Sequence, residues 1–379
     1  MIRILYCVDY LVAGGVERQT TALITGLDRS RFQPEVICLY GERLGASLHF
    51  APLLREHDVP LHLLDLTHDP VSKWRAFQSM ISHSWRFRPH LFHTVNYHGN
   101  ILSGATHFLM PAGTHRIVSV RAENTPKQIR NQLLSWRLAK AIIANSPHLV
   151  EQLVNEAGLP MTKITHIPNG INTSRFDSPV DPAFREQLAP GAKHVILMVV
   201  RISARKVPQM LVQALGLLKM RDQLPEGTRV VIVGEVEDLT TQSQLEATIN
   251  QYSLHDAIIQ HPQVDNITPY YQASDFSVLV SLWGEGLPNV VLESLAAGRP
   301  AVVSEAANRV GLVDGEKTGW LVRTGDVEHL AQTLLRVLRM PTEEMKTMSA
   351  ACQRKAAEYS MDQMIARHVA VYEEALQHG

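Results

Sequence analysis

Short runs of β-branched and other apolar residues alternate with helical patterns along this chain of 379 residues, and the alternation occurs twice. In the first half, runs typical of strands lie at 2–8, 35–40, 91–95, 116–120, 141–144 and 164–167, and an amphipathic stretch from Val16 to Leu27 predicts a helix. In the second half, we predict strands at 195–200, 230–233, 276–280 and 301–303, and helices near 207–219, 241–252 and 289–297. This order predicts an α/β fold with two Rossmann-like halves, each a parallel sheet covered on both faces.

Proline and glycine are concentrated between the halves, at Asn169-Gly170, Ser178 to Pro182 and Pro190-Gly191. Such clusters mark a linker, and we place the boundary near residues 170–180, which gives domains 1–175 and 176–360. Ligands of parallel sheets bind outside the carboxyl ends of the strands. We therefore expect two facing halves to enclose a cleft.

Composition excludes several classes of protein. The longest apolar run, Val195 to Val200, is six residues long, whereas a bilayer span needs roughly 18. The net charge of −1 provides no field that would attract nucleic acid. Three scattered cysteines argue against a disulfide framework and favour a reducing cytoplasm. Residues 1–9 are typical of a strand rather than of a cleaved leader.

The strongest motif, Trp283-Gly-Glu-Gly-Leu-Pro-Asn-Val-Val-Leu-Glu293, follows the predicted strand 276–280. It predicts a loop that holds Glu285, then a helix from about Asn289 with Glu293 in its second turn. The N–H groups of a helix N-terminus suit phosphate, whereas carboxylates accept hydrogen bonds from the hydroxyls of a sugar or a ribose. A glutamate pair at this spacing arises by chance about once in such a chain. The surrounding glycines, proline and asparagine make the pair informative.

A second motif places cations after the first strand of the second half. Arg201 ends that strand, and Lys206 lies in the loop before the helix that begins near Pro208. A lone Arg–Lys pair is ordinarily a solvated loop, but the position at a strand's carboxyl end, in the same half as Glu285, favours ligand binding. Fixed cations there can neutralise a leaving diphosphate, a task otherwise given to a metal.

A third motif, Gly14-Gly15, follows the first strand of the chain. Paired glycines let backbone N–H groups approach a ligand closely, and the next helix points its N-terminus there. A tight strand-to-helix turn is the alternative interpretation. The motif is not Gly-x-Gly-x-x-Gly, and the second half has no such sequence either, which disfavours a nicotinamide dehydrogenase.

Together these motifs resemble family 4 of the retaining glycosyltransferases, which have the GT-B fold. The resemblance rests on Glu285-Gly-x-Pro-x-x-x-x-Glu293, on Arg201 with Lys206, on Gly14-Gly15 and on Ile167-Pro-Asn-Gly-Ile171. It implies transfer of a sugar from a nucleotide donor, such as a UDP- or GDP-sugar, with retention and with no metal or other cofactor. The acceptor would be a glycan or a lipid-linked sugar, in the synthesis of a bacterial surface polysaccharide or glycolipid.

The resemblance also implies residue roles. Glu285 would hold hydroxyls of the donor sugar, Glu293 would hold those of the ribose, and Arg201 with Lys206 would hold the diphosphate. The implied catalytic residues are Arg201, Lys206 and Glu285, and the implied donor-binding residues are Gly14, Gly15, Gly286, Leu287, Pro288, Asn289 and Glu293. The donor would lie mainly in the C-terminal half and the acceptor in the N-terminal half, with the last helix, within 361–379, packed on the first domain.

Two segments depart from the family pattern. Ala306-Ala307-Asn308-Arg309-Val310 stands where the family has Gly-Gly and then a glutamate. Arg121, after the strand 116–120, occupies the position at which many family members have a histidine. We do not assign the role of that histidine to Arg121. Arg121 is an acceptor-side candidate with His93 and His98, which we expect at the cleft end of the strand 91–95. For His93, packing in the core is an equal alternative.

Ten of the 18 histidines fall in residues 1–115, but no His-Glu-x-x-His or comparable spacing occurs, so no metal site is predicted. Residues 124–150 contain four cations and no acid. This stretch fits peripheral contact with an anionic membrane, at the inner face for a cytoplasmic protein, and it also fits a domain helix with a solvated basic face.

Two other functions remain open at this point. One is a sugar-nucleotide epimerase or hydrolase on the same fold. The other is a non-catalytic protein that binds sugar nucleotides or glycans, an alternative that the Ala306-to-Val310 segment keeps open.

Overall fold

The computed structural model describes residues 1–41, 48–64, 66–67, 69–177, 181–283 and 287–377. The chain forms two compact units, the first made of Met1–Gly170 with Met361–Gly379 and the second of Ile171–Ser360. Residues 178–180 of the predicted linker lie outside the described part. No helix among the described residues is long and apolar enough to cross a membrane.

The strands are β1 (Ile2–Val8), β2 (Phe32–Cys38), β3 (Leu61–Leu63), β4 (Leu91–Val95), β5 (His115–Val120), β6 (Ala141–Ala144), β7 (Ile164–His166), β8 (His194–Val199), β9 (Thr228–Val233), β10 (Ile258–His261), β11 (Phe276–Leu279), β12 (Ala301–Ser304) and β13 (Gly319–Val322). The helices are α1 (Gly15–Thr25), α2 (Ala51–Glu56), α3 (Pro70–Phe87), α4 (Tyr97–Thr106), α5 (Pro126–Leu138), α6 (Pro147–Asn155), α7 (Pro182–Leu188), α8 (Pro208–Met220), α9 (Leu239–Gln251), α10 (Thr268–Ala273), α11 (Asn289–Ala296), α12 (Val327–Leu338), α13 (Thr342–Ala357) and α14 (Met361–Gln377).

The first unit contains a seven-stranded sheet in the order β3-β2-β1-β4-β5-β6-β7. The second unit contains a six-stranded sheet in the order β10-β9-β8-β11-β12-β13. The pairings of both sheets are parallel, for example Ile4 opposite Leu91 and His194 opposite Thr228. In each sheet the strand order reverses once, between β1 and β4 in the first and between β8 and β11 in the second. The predicted α/β class with two Rossmann-like parallel sheets is therefore confirmed.

Side-chain caps fix the starts of several helices. Asp69 accepts a hydrogen bond from the Ser72 N–H before α3, and Ser146 accepts one from the Leu149 N–H before α6. Thr125 and Gln128 form a reciprocal capping box at α5. Each of these caps is followed by a proline, whose fixed φ suits the first helical position.

The last helix packs in the first unit, as expected. Met364, Val371, Tyr372 and Ala375 of α14 are buried in the same core cluster as Ile4 and Tyr6 of β1. The Tyr372 hydroxyl lies 3.0 Å from the Tyr6 hydroxyl and 2.7 Å from His93 Nδ1. This helix therefore contributes both apolar area and buried polar contacts to the first sheet.

The predicted bounds of the strands with strong apolar runs lie within three residues of the observed bounds, and for β1, β4 and β6 the two are identical. The strands β3, β10 and β13, which have three or four residues each, were not predicted. β3, β10 and β13 are edge strands, and β7 is the fourth edge strand.

Cys7, Cys38 and Cys352 are free and buried, which confirms the expectation of no disulfide framework.

Two buried histidines of the first unit predict a loss of stability in acid. Burial first, and then the charge of Arg121, lowers the pKa of His368 to about 3, and burial lowers the pKa of His93 well below its usual value. Below about pH 6.5 these histidines are protonated in the unfolded chain but remain neutral in the folded chain. The free energy of unfolding therefore falls as the pH drops from about 6.5 toward 3.

We expect each of these histidines to cost about 2 kcal/mol between roughly pH 7 and pH 5. Urea titration of the intact chain, with hydrogen exchange of β4 and β5 as the readout, measures this loss. His368→Gln should be less stable at neutral pH but should lose about 2 kcal/mol less than the wild type on acidification. His57→Gln, at an exposed position, should keep the wild-type pH dependence. Identical pH dependence in His368→Gln and the wild type would contradict this account.

Candidate donor and acceptor sites

In each sheet, the point at which strand order reverses leaves a crevice at the carboxyl ends, because the helices on either side leave toward opposite faces. In the second unit this point lies between β8 and β11, which lead to Arg201 and to Ser281. In the first unit it lies between β1 and β4, which lead to Asp9 and to Asn96.

The loop after β8 carries the predicted cations. Its start is fixed by hydrogen bonds from the Ile202 N–H to the Glu235 carbonyl at 2.9 Å and from the Glu237 N–H to the Ile202 carbonyl at 3.1 Å. The side chain of Arg201 is 64% exposed and lies 4.0 Å from the Glu237 carboxylate, which is 55% exposed. An exposed pair at this distance is weak, so it leaves the guanidinium available to a ligand.

Lys206 ends a turn in which its N–H donates to the Ser203 carbonyl at 3.0 Å. The next residue, Val207, has a φ of 34° and is the N-cap of α8. A β-branched residue in the left-handed region is strained, and such strain persists only where the surroundings hold the backbone in place. The backbone of the turn that presents Lys206 is therefore held in a fixed conformation.

A backbone hydrogen bond joins this loop to the loop after β11. The Leu282 N–H donates to the Arg205 carbonyl at 3.0 Å. The loop after β11 is also tied to β12, because the Ser304 hydroxyl accepts from the Ser281 N–H and donates to the Ser281 carbonyl, both at 2.9 Å. The loops carrying the two strongest sequence motifs thus meet at one edge of the second sheet.

Helix α11 begins at Asn289 after Pro288 and has no side-chain cap and no acidic residue in its first turn. Its first N–H groups therefore carry the positive end of the helix dipole, and no acidic residue of that first turn neutralises it. Leu287 and Pro288 are buried and fix the approach to the helix. The predicted Glu285 and Gly286 lie outside the described residues.

Glu293 is buried, with 8% of the residue exposed. The Tyr271 hydroxyl of α10 lies 3.3 Å from Glu293 Oε2 and 2.9 Å from the Val290 carbonyl, where it donates. The contact with Tyr271 positions the Glu293 carboxylate, a hydrogen-bond acceptor, in the second turn of α11.

A cavity of about 530 Å³ opens at the carboxyl ends of β9 and β10. It is lined by Ile202, Ile232, Gly234, Glu235, Val236, Gln242, Gln260, His261, Pro262 and Gln263. A Cβ at Gly234 would overlap the Val200 carbonyl, so only glycine allows the two strand ends to approach so closely. This cavity was not predicted, although the dipeptide Gly234-Glu235 directly after a buried strand could have indicated it.

In the first unit, the Gly14-Gly15 turn leads into α1, and Gly14 is its N-cap in an extended conformation. A Cβ at Gly14 would overlap the carboxylate of Glu17, in the first turn of the same helix. A carboxylate therefore lies against the N-terminus of α1, where it interacts favourably with the helix dipole. An incoming phosphate would have to displace it.

The crevice of the first sheet is a cavity of about 320 Å³ that contains Asp9, His98 and Arg121 in its lining. Asp9 holds the start of α4, since its carboxylate accepts from the His98 N–H at 3.0 Å and from the Gly99 N–H at 2.7 Å. His98 Nδ1 lies 3.2 Å from Asp9 Oδ2. The His98 side chain is 44% exposed, so it is accessible to a ligand in this cavity.

Arg121 follows β5 and is buried, with 8% of the residue exposed. Its guanidinium donates to Asn169 Oδ1 at 3.1 Å and lies 3.5 Å from His368 Nε2. Within the described ranges it pairs with no carboxylate, and its Nε atom is buried with no hydrogen-bond partner. Burial lowers the pKa of Arg121 to about 10, which still leaves the guanidinium charged at neutral pH.

The expectation that His93 lies at the cleft end of its strand is wrong. His93 is the third residue of β4 and is completely buried. Its ring nitrogens lie 2.7 Å from the Tyr372 hydroxyl and 2.8 Å from the Ser119 hydroxyl. Both nitrogens are therefore used inside the core, which is the packing alternative.

The segment that departs from the family pattern is ordered by its own asparagine. The Asn308 side chain accepts from the Val313 N–H and donates to the Val313 carbonyl, both at 2.9 Å, and Ala307 is buried. Glu305, directly after β12, is exposed at the same edge as Ser281. This carboxylate was not among the predicted site residues, although its position at the end of a strand could have indicated it.

Comparison with known proteins agrees with this architecture. The family model described as Glycosyltransferase Family 4 matches residues 13–175, and the model described as Glycosyl transferases group 1 matches residues 180–355. The chain is similar to a D-inositol 3-phosphate glycosyltransferase of Xylanimonas cellulosilytica, with 28% identity over 62% of this chain and 57% of that protein. It is also similar to the UDP-Gal:alpha-D-GlcNAc-diphosphoundecaprenol alpha-1,3-galactosyltransferase of Escherichia coli, with 26% identity over 65% of this chain and 64% of that protein. The matched region thus spans less than two thirds of the length of either relative.

Among solved structures, Anabaena Alr3699/HepE in complex with UDP superposes with a TM-score of 0.82 at 18% identity, over 98% of this chain and all of that one. The two parallel sheets, each with its crevice at a single reversal of strand order, define a protein of the GT-B class. The two family models match one sheet each, in the order expected. The chain belongs to family 4 of the glycosyltransferases.

Proposed function

We propose that this chain is a retaining hexosyltransferase that binds a nucleotide-sugar donor in its second unit and a glycan or lipid-linked acceptor in its first. The observation that carries the proposal is the junction of the Arg201-to-Lys206 loop with the loop after β11, through the Leu282–Arg205 hydrogen bond. The junction brings fixed cations to the edge from which the uncapped helix α11 starts.

The leaving group of such a reaction is a nucleoside diphosphate. The bond from the anomeric carbon to the diphosphate oxygen breaks through an oxocarbenium-like state, and negative charge grows on the diphosphate. Arg201, Lys206 and the first N–H groups of α11 would stabilise that charge, the role that a metal ion plays in other transferases. Family membership implies that the acceptor attacks from the face from which the diphosphate leaves, which retains the anomeric configuration. It also implies that the reaction needs no metal.

The remaining groups of the second unit suit the rest of the donor. The positioned carboxylate of Glu293 would accept from the ribose hydroxyls. The cavity at the ends of β9 and β10 would take the base, with backbone groups and glutamines as its polar contacts. Glu285 would hold hydroxyls of the sugar. HepE, which shares the fold, was solved with UDP and with UDP-glucose, and we therefore place UDP-sugars first among donors.

The crevice of the first unit would receive the acceptor. Asp9 and His98 offer an acceptor and a ring nitrogen to hydroxyl groups, and Arg121 adds a charge that no carboxylate of the described residues neutralises. The name of the Escherichia coli relative specifies a sugar linked to diphosphoundecaprenol. A lipid-linked acceptor would bring this unit close to a membrane surface.

Helix α5 supports peripheral contact with such a surface. Lys127, Arg130, Leu134 and Arg137 recur at helical spacing and are all exposed, whereas Trp136 is buried in the core. The exposed face is thus three cations around one leucine, with Lys140 just beyond the helix. This pattern suits the headgroup layer of an anionic bilayer and is too polar for deep insertion.

The donor class can be tested by thermal unfolding with UDP-, GDP- and ADP-sugars. A true donor at 100 times its dissociation constant should stabilise the fold by about 2.7 kcal/mol. The matching nucleoside monophosphate should stabilise it less, since it lacks the second phosphate for the cations. Donor consumption without an acceptor would favour a hydrolase or epimerase, and binding without turnover over an acceptor panel would favour a non-catalytic protein. A panel in which no sugar nucleotide raises the midpoint rejects all three functions.

Lys206→Ala should lower turnover with the identified donor on the order of 10²-fold, the scale of losing one electrostatic stabiliser of the transition state. Lys219→Ala is the matched control, because Lys219 is an exposed lysine in the last turn of α8, the helix that follows Lys206, and contacts the Ser253 carbonyl. It should keep wild-type turnover. Equal turnover in the two variants would remove Lys206 from the mechanism.

Membrane contact can be tested by co-sedimentation with vesicles of anionic lipid. Wild type should be recovered with the vesicles, and recovery should fall on neutral lipid and in the variant Lys127/Arg130/Arg137/Lys140→Ala. A control of equal charge change on the second unit should bind like the wild type, namely Lys193/Lys219/Lys317/Lys346→Ala. Equal recovery of the wild type and the α5 variant would end the membrane proposal, and equal losses in both variants would indicate a net-charge effect.

A further inference from the structure

Three metal-ligating side chains of the first unit converge away from the proposed donor and acceptor sites. Glu35 is in the middle of β2, His62 is in the edge strand β3, and His83 is in α3, which covers that side of the sheet. His62 pairs with Ile37, two residues beyond Glu35, so both side chains point to the same face. One ligand atom from each residue lies within 4.8 Å of the other two.

The distances between these atoms fit the edges of a small coordination polyhedron. Glu35 Oε2 lies 2.7 Å from His83 Nε2 and 3.4 Å from His62 Nε2. Ligands at about 2.0–2.1 Å from a tetrahedral zinc ion are roughly 3.3 Å apart. The His62 edge already has that length, and the His83 edge needs to open by only about 0.6 Å.

We propose that Glu35, His62 and His83 bind one divalent transition-metal ion of the zinc type. Two imidazoles and a carboxylate are ligands that Zn²⁺ accepts, and three protein ligands leave one position for water. The His62 side chain is 39% exposed, whereas the side chains of Glu35 and His83 are largely buried.

One further observation supports this site. His62 Nε2 is shielded from solvent and has no hydrogen-bond partner among the described residues, so its lone pair or proton is unsatisfied in the protein alone. On binding, the His83 Nε2 hydrogen bond to Glu35 would be replaced by metal coordination, with the ring proton on Nδ1.

The position indicates a structural role. Glu35 lies opposite Leu5 of β1, about 13 Å along the strand direction from the Asp9 end of that strand, where the acceptor cavity lies. An ion at this point would tie the three-residue edge strand β3 to β2 and to α3. The site is independent of the proposed glycosyl transfer, for which we expect no metal.

Titration of the tag-free, EDTA-treated, dialysed chain with Zn²⁺ tests the proposal. We expect one ion per chain and a thermal midpoint raised by roughly 5–10 °C at 100 times the dissociation constant. Substitution with Co²⁺ should give visible absorption bands of a low-symmetry site, which report coordination irrespective of stability.

The variant His62→Gln removes the most exposed of the three ligands and is expected to fold. It should weaken Zn²⁺ binding by at least about 100-fold, since even outer-shell partners are worth 10- to 100-fold, and it should abolish the Co²⁺ bands. His57→Gln, a nearby exposed histidine, should leave both unchanged. Absence of stoichiometric binding by the wild type, or undiminished binding by His62→Gln, would overturn the proposal.

Discussion

The hydrogen bond between the Leu282 amide and the Arg205 carbonyl joins the two loops on which the proposed donor site depends. Because β8 and β11 are neighbours at the reversal of strand order, their following loops leave the same edge and can share a backbone contact. That contact joins a cationic turn to the loop that follows β11. The net charge of the chain is −1, so attraction for a diphosphate must come from such local placement rather than from a long-range field.

The predictable part of the fold is the part whose signal is local. Val195 to Val200 is a continuous apolar run, and it marks β8 without reference to any other residue. The edge strands β3, β10 and β13 have no comparable run, since their stability comes from pairing with a neighbour that was already in place. Leu61–Leu63, for example, is a strand only because it continues the sheet beside β2.

The same distinction separates the predictable and unpredictable parts of the sites. The positions of Arg201 and Lys206 follow from counting residues past a strand end, and the structure has them in that loop. His93 could not be assigned in this way, because both faces of β4 are buried and the histidine finds its partner Tyr372 279 residues away. Glu35, His62 and His83 are likewise joined by strand pairing and helix packing, with no spacing in the sequence to reveal them.

The two sheets share the same order over six strands but differ in charge at comparable positions, and this difference supports the proposed assignment of substrates. In the first unit, carboxylates occupy the helix starts, with Glu17 against α1 and Asp9 on the N–H groups of α4. In the second unit, the first turn of α11 contains no carboxylate, and three cations, Arg201, Arg205 and Lys206, lie on the loop after β8. A helix start that already holds a carboxylate repels a phosphate and can still accept from hydroxyl groups, whereas a free one attracts the phosphate. This difference supports the proposal that phosphate binds in the second unit and hydroxyl-rich groups in the first, where Arg121, a buried cation in the lining of the cavity, would favour an anionic part of the acceptor.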